Sequence, residues 1–382
     1  MENVMNDYRS SNQFSPLSGI AGRYPEKTFY LGQVFNDTTN SYKLLWLLAI
    51  LSLLRRTQAR TIALADIFAE MAVAAWHPVC LYRLSLGRQD KLQDVIRELQ
   101  LLSKLPANAA SDAIRQFLVN SDKAKLHLQH FKQYVPTRFL SPWFADKLRG
   151  EKDCSRNILI IDLALQSQRT AQACPYWFRN GFIEINESWR AFFVENMAVV
   201  QAFTEFHLSV YLQTRNPNVP GVMNKLRAPV KRQLTTARRF WRHVREQYEK
   251  RGQAHSFRDI YTEQALDSHF AIDHFLPWSF TAHDLLWNLA PVDPTTNSKK
   301  GDAVPDLNIY VPRLARLHFG AIEITKKQPR LLEDYINCFK MDADDLLSLG
   351  ENGFVAKYRE VLVPQAQIAL NQGFQSEWQY RN

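Results

Sequence analysis

The chain has 382 residues, 46% apolar and 22% charged, which argues against whole-chain disorder and leaves room for two or three domains with buried cores. The formal charge of +9 and a pI near 9.3 favour a polyanionic partner, nucleic acid or an anionic membrane. Four scattered cysteines, Cys80, Cys154, Cys174 and Cys338, form no CxxC pair; this argues against a disulfide scaffold and a cysteine-built zinc site, and points to reduced, mostly buried thiols in a cytoplasm.

Residues 1–39 are turn-rich and yield no assigned element. No signal peptide is visible in the polar stretch Met1 to Ser18. Leu44 to Leu54 is the most apolar run, but its eleven residues fall short of the about 20 that span a bilayer. It lies between Asn40-Ser41-Tyr42-Lys43 and Arg55-Arg56, like a capped core helix, so no membrane partner is expected. Apolar residues at helical spacing predict further helices over Ile62 to Cys80, Lys91 to Lys104 and Ala109 to Tyr134, the last stopped by Pro136. Asn157 to Leu163, NILIIDL, reads as a strand or short buried segment. Asp162 within it does not by itself make a ribonuclease-H-like metal site, which needs several more carboxylates. Asn186 to Gln213 reads as one long helix, followed by the turn-rich Asn216-Pro217-Asn218-Val219-Pro220-Gly221, a predicted domain boundary.

Beyond that break the chain turns basic. Lys225 to Arg251 holds ten basic and two acidic residues, a net +8 in 27 residues that leaves +1 for everything else. Arg238, Arg242 and Arg245 share a helix face, and Phe240, Trp241 and Tyr248 interleave with the charges. Lys231, Arg232, Arg238, Arg239, Arg242, Arg245 and, further on, Lys299 are the candidate nucleic-acid contacts.

The segment Phe270 to Pro305 carries the chemistry. A short apolar strand, Phe270-Ala271-Ile272, delivers Asp273 and His274 at its end. Adjacent strand residues point to opposite faces, so the two reach one site only if the chain bends there. A second strand is predicted over Asn288 to Val292. Asp293-Pro294 then marks a helix start, with Asn297 and Lys300 on one face. Strand, loop, strand, helix is the outline of a ββα-metal finger.

These residues resemble the HNH nuclease family, and within it the HNH domain of the RNA-guided CRISPR nuclease. The likeness rests on Asp273-His274, on Pro277 and Ser279-Phe280 in the loop, and on Asn288 fourteen residues after His274. Asn297 follows nine residues later, with Lys300 and Val304-Pro305 closing the stretch. The remainder more weakly resembles bacterial HNH proteins with a helical N-terminal region, through Asn40-Ser41-Tyr42-Lys43, Tyr134-Val135-Pro136 and the Arg215 to Gly221 turn.

The resemblance implies that His274 is the general base, that Asp273 and Asn297 are metal ligands, and that Asn288 holds the loop and so His274 in place. Lys300 is expected at a phosphate oxygen. The implied cofactor is Mg2+ or Mn2+, with no structural zinc, and the implied products are a 5′-phosphate and a 3′-hydroxyl. Trp278, Phe280 and Trp287 are expected in the core; His269 and His283 are assigned to the surface or to a supporting shell.

The sequence therefore predicts a mainly α protein: a helical N-terminal region, an embedded ββα-metal (HNH) finger and a helical C-terminal cap. The expected segments are 1–215 (helical, role unassigned), 216–255 (basic linker helix), 256–325 (HNH nuclease) and 326–382 (helical extension); helices are expected over Val304 to Thr325, Pro329 to Phe339, Asp342 to Leu349 and 354–377. The expected function is metal-dependent hydrolysis of DNA, in bacterial defence or restriction, by a homodimer or with a defence-system partner protein. The alternatives are a nucleic-acid-binding module with an inactive finger and an RNA-cleaving effector.

Overall fold

A computed structural model describes residues 22–381 except 37, 58, 130, 132–134, 171, 230 and 231, and the side chain of Cys154. Lys231 and Tyr134 thus lie outside the described residues, as do residues 1–21. Helices dominate, and the chain forms two compact units: residues up to 217 with 222–229, and 218–221 with 230 onward.

The first unit is built from α1 (Pro25–Val34), α2 (Tyr42–Thr57), β1 (Thr61–Ala63), α3 (Leu64–Trp76), α4 (Lys91–Ser103), α5 (Ser111–Asn120), α6 (Asp122–Leu128), α7 (Val135–Phe139), α8 (Asp153–Ser167), β2 (Tyr176–Arg179), β3 (Phe182–Ile185), α9 (Glu187–Glu195) and α10 (Met197–Arg215). Its strands form an antiparallel sheet in the order β1-β3-β2. Helices α2 and α3 fill the interior, with Trp46 and Trp76 fully buried. Leu64–Leu81 is long and apolar enough to cross a bilayer, yet 72% of it is buried inside the unit. Of the described cysteines, Cys174 is buried and Cys80 half-buried in this unit, and Cys338 half-buried in the other; all three are free thiols.

Several expectations are corrected here. NILIIDL lies within helix α8, not a strand. The segment from Ile62 enters as an edge strand before α3 begins. Ala109 to Tyr134 is broken at Ser121, whose side chain caps α6 by accepting from Ala124 N. Asn186 to Gln213 is two helices, interrupted at Asn196, whose backbone (φ −112°, ψ 18°) leaves the helical region. Apolar periodicity runs on across a one-residue break, so it did not mark these ends.

The two N-terminal motifs brace this unit. Ser41 donates to the buried Asp90 carboxylate through its backbone N (2.9 Å) and its Oγ (2.6 Å), while Asp90 also caps α4. Tyr42 Oη accepts from Lys91 N at 2.8 Å. Asn216 is paired with the Ser85 backbone on both amide atoms, each at 2.8 Å.

The second unit has one hydrophobic core shared by the basic helix, the finger and the C-terminal helices. Helix α11 (Thr235–Lys250) contributes Ala237, Phe240, Trp241 and Val244, a three- and four-residue spacing that sends one stripe inward. The finger follows: β4 (Ala271–His274), the short α12 (Trp278–Thr281), β5 (Leu289–Val292) and α13 (Pro294–Lys300). Then come α14 (Leu307–Thr325), α15 (Glu333–Phe339), α16 (Ala343–Ser348) and α17 (Gly350–Asn371). Tyr358 on α17 donates to the backbone oxygen of Trp287, which ties the last long helix to the entrance of β5. The finger is thus packed from behind by helices and carries no cysteine brace of its own.

His318, fully buried on α14, lies 2.6 Å from Tyr335 Oη through Nδ1 and stacks against Tyr358. Burial pushes its pKa from 6.5 down to about 3. The imidazole is therefore neutral in the fold, and below pH 6.5 the unfolded chain takes up a proton that the folded chain refuses. Stability contributed through His318 is lost as pH falls from 6.5 towards 3, by about 1.4 kcal/mol per pH unit. Denaturant titrations across this range should show the wild type losing stability faster than His318→Gln; parallel pH profiles would contradict the assignment.

Candidate active site

The finger starts from an antiparallel pair. Asp273 of β4 faces Ala290 of β5, and His274 faces Leu289. Asp273 and His274 both lie inside the strand, with no bend between them. Their side chains take separate partners, as alternation along a strand requires.

Asp273 is buried, 4% exposed, with both carboxylate oxygens engaged. Oδ1 accepts from Lys300 Nζ at 3.1 Å, and Oδ2 from the Tyr261 hydroxyl at 2.7 Å. Lys300 also donates to the backbone oxygen of His274 at 2.7 Å. It is itself buried, which corrects the expectation that it reaches a phosphate: its ammonium points inward and neutralises a carboxylate that would otherwise be buried unpaired. Burial beside Asp273 raises the Tyr261 hydroxyl pKa well above the ordinary phenol value, keeping it a proton donor.

His274 is equally buried, and its Nε2 lies 2.8 Å from Asp284 Oδ1. Nδ1 has no hydrogen-bond partner among the described residues. Asn288 is fully buried and clamps the loop: its Oδ1 accepts from Leu276 N at 2.8 Å, and its Nδ2 donates to Leu276 O at 2.9 Å. Phe275 N adds a bond to Asn288 O at 2.8 Å. The loop that follows His274 is therefore locked onto the entrance of β5.

Helix α13 is placed by capping. Asp293 Oδ1 accepts from Thr295 N and Thr296 N, each at 2.9 Å, with Pro294 at the first helical position. Asp293 N in turn donates to Asp259 Oδ2 at 2.7 Å, and Asp259 Oδ1 holds Tyr261 N at 2.7 Å. One carboxylate thus fixes both the helix start and the tyrosine that meets Asp273. Gly301, with φ +53°, ends the helix in a conformation that favours glycine. Asn297 shares the face of Lys300, is half-buried, and its carboxamide has no hydrogen-bond partner among the described residues.

The donor set fits a hard divalent cation: a carboxylate with lone pairs to spare beyond its two hydrogen bonds, and an unpaired carboxamide oxygen on the adjoining helix. Among the described residues, no three His, Cys, Asp or Glu side chains converge as a metal cluster.

Residues 254–306, which contain this whole arrangement, match the HNH endonuclease family. The segment is an HNH endonuclease domain. No curated protein and no solved structure matches the chain. The family match supports nuclease activity, which implies a nucleic-acid substrate.

Around the domain, Arg232, Arg238, Arg239, Arg242 and Lys299 are exposed. Arg245 is paired with Glu249 at 2.6 Å. Arg232 lies over the half-buried Trp278 ring at 5.3 Å, and Lys299 over Tyr380 at 5.2 Å. Phe280 and Trp287 are core residues, His283 packs against Trp287, and His269 is exposed. Tyr261, Asp259 and Asp284 escaped the sequence reading. Asp284 sits ten residues after His274, a spacing with no periodic signature, and Tyr261 lies before the first strand.

Replacing Asn288 with Ala strands two backbone groups of Leu276 in the interior, at a cost of about 1–3 kcal/mol each. The unfolding midpoint in urea should fall accordingly, with the slope unchanged. An unchanged midpoint would show that the loop holds without this clamp.

Proposed function

We propose that the chain is a metal-dependent endonuclease that hydrolyses DNA phosphodiester bonds, with His274 as general base and Asp273 and Asn297 as cation ligands. The observations that support this reading are a buried Asp-His pair on β4 of the HNH domain and, on α13, a carboxamide with no hydrogen-bond partner among the described residues that shares a helix face with the lysine paired to Asp273. His274 takes a proton from the water that attacks phosphorus, the general-base role that a positioned imidazole fills in hydrolysis. Asp273 and Asn297 would hold Mg2+ or Mn2+, which when bound supplies positive charge beside the phosphate and its leaving oxygen. Lys300 and Tyr261 keep the Asp273 carboxylate aimed while the site is assembled. The products are a 5′-phosphate and a 3′-hydroxyl.

The exposed arginines of α11, with Arg232 and Lys299, supply the backbone contacts of the duplex, a sequence-independent and salt-sensitive interaction. One HNH domain offers one base and one cation site, so a chain cuts one strand per event and a double-strand break takes a homodimer or two encounters. We place the activity in bacterial genome defence or restriction by analogy of fold.

Incubated with supercoiled plasmid and Mg2+, the wild type should nick it, while His274→Ala binds as well but cuts about 10²–10⁴-fold more slowly. Binding without nicking by either protein would leave only a nucleic-acid-binding module. Preferential loss of single-stranded RNA offered beside the plasmid would favour the RNA-cleaving alternative. In the same binding assay, reversing the charge of Arg238, Arg239 and Arg242 should weaken binding and flatten its salt dependence. An unchanged slope would remove α11 from the interface.

A further inference from the structure

We propose that Asp284 is a positioning residue for His274, holding the imidazole through Nε2 and fixing the tautomer that leaves Nδ1 free to accept a proton. The inference rests on the reading of His274 as general base. An ionised carboxylate can only accept, so the proton in the 2.8 Å contact between His274 Nε2 and Asp284 Oδ1 sits on the nitrogen. A neutral imidazole has one ring proton, and with that proton on Nε2 the lone pair is on Nδ1. That is the nitrogen with no hydrogen-bond partner among the described residues.

Asp284 is kept ionised. The hydrogen bond from His274 holds its carboxyl below the usual carboxylate range, against the opposing effect of burial, with help from Gln233 N and Arg232. The carboxylate is also held from behind, because Oδ2 accepts from Gln233 N at 3.1 Å. The loop around it is pinned on both sides. Helix α12 ends at Ala282 in a left-handed conformation, φ +55°, and the His283 ring packs on Trp287 at 5.3 Å. Leu286 N donates to Asp334 Oδ2 at 2.8 Å. These contacts hold the loop that carries Asp284, so its carboxylate presents a fixed acceptor to His274.

The test uses the full chain, 15N-labelled on histidine and free of added cation. Long-range 1H–15N spectra are recorded at pH 8, where an ordinary imidazole is neutral. The wild-type His274 should show the Nε2–H tautomer, and Asp284→Ala and the shape-conserving Asp284→Asn should both lose that preference. With Mg2+ and plasmid, both variants should lose kcat by about 10²–10⁴-fold while KM stays within about twofold. Asp284→Glu should recover part of the loss. An unchanged His274 tautomer in folded Asp284→Asn, or cleavage at the wild-type rate by either variant, overturns the proposal. A wild type that nicks no faster than His274→Ala sinks the nuclease reading instead, and the tautomer spectra still decide what Asp284 does.

Discussion

The second unit is organised around one buried carboxylate. Asp273 sits buried in an antiparallel strand pair, and a carboxylate in that position is tolerated only if paired and hydrogen-bonded. Lys300 supplies the charge and Tyr261 the second bond. Each of these demands a further structure. Lys300 must come from a helix whose start is fixed, which Asp293 provides by capping; Tyr261 must come from a loop whose backbone is held, which Asp259 provides. Asp259 serves both, since it also binds Asp293 N. The finger is a short polar chain of dependence wrapped in apolar helices.

The same economy explains why the two residues that alternate on β4 can serve one purpose. Asp273 faces the helix side, where the cation ligands are read, and His274 faces the loop side, where Asp284 meets it. Strand geometry keeps them apart, and Asn288 clamps the loop that follows His274. A ββα finger in other proteins can be braced by metal-bound cysteines; here the bracing is Tyr358 reaching the Trp287 backbone and the aromatic core behind it.

Much of this was legible in the sequence. The spacing of Asp273, His274, Asn288 and Asn297 marks the finger, because fixed offsets between chemically special residues survive without any view of the fold. The cap at Asp293-Pro294 and the inward stripe of α11 follow from local rules. Helix ends inside long apolar runs did not show, since Asn196 and Ser121 interrupt the backbone without interrupting the pattern. NILIIDL misled because a short apolar run fits strand and helix alike, and only its packing decides. Lys300 is expected at a phosphate oxygen because nothing in its sequence neighbours reveals that it folds back onto Asp273. Tyr261 and Asp284 are tertiary partners, invisible to any spacing rule. In the N-terminal unit the motif residues Ser41 and Asn216 turn out to tie loops to helices, a structural use that their sequence did not disclose.

The central claim is that Asp273 and Asn297 share one divalent cation. Calorimetric titration of the full chain with Mn2+, in the absence of nucleic acid, tests it most directly. The account predicts a single site that is lost in Asp273→Ala and weakened at least about tenfold in Asn297→Ala, the scale on which altering a metal shell acts. Undiminished binding in Asp273→Ala, with the protein still folded, would contradict it.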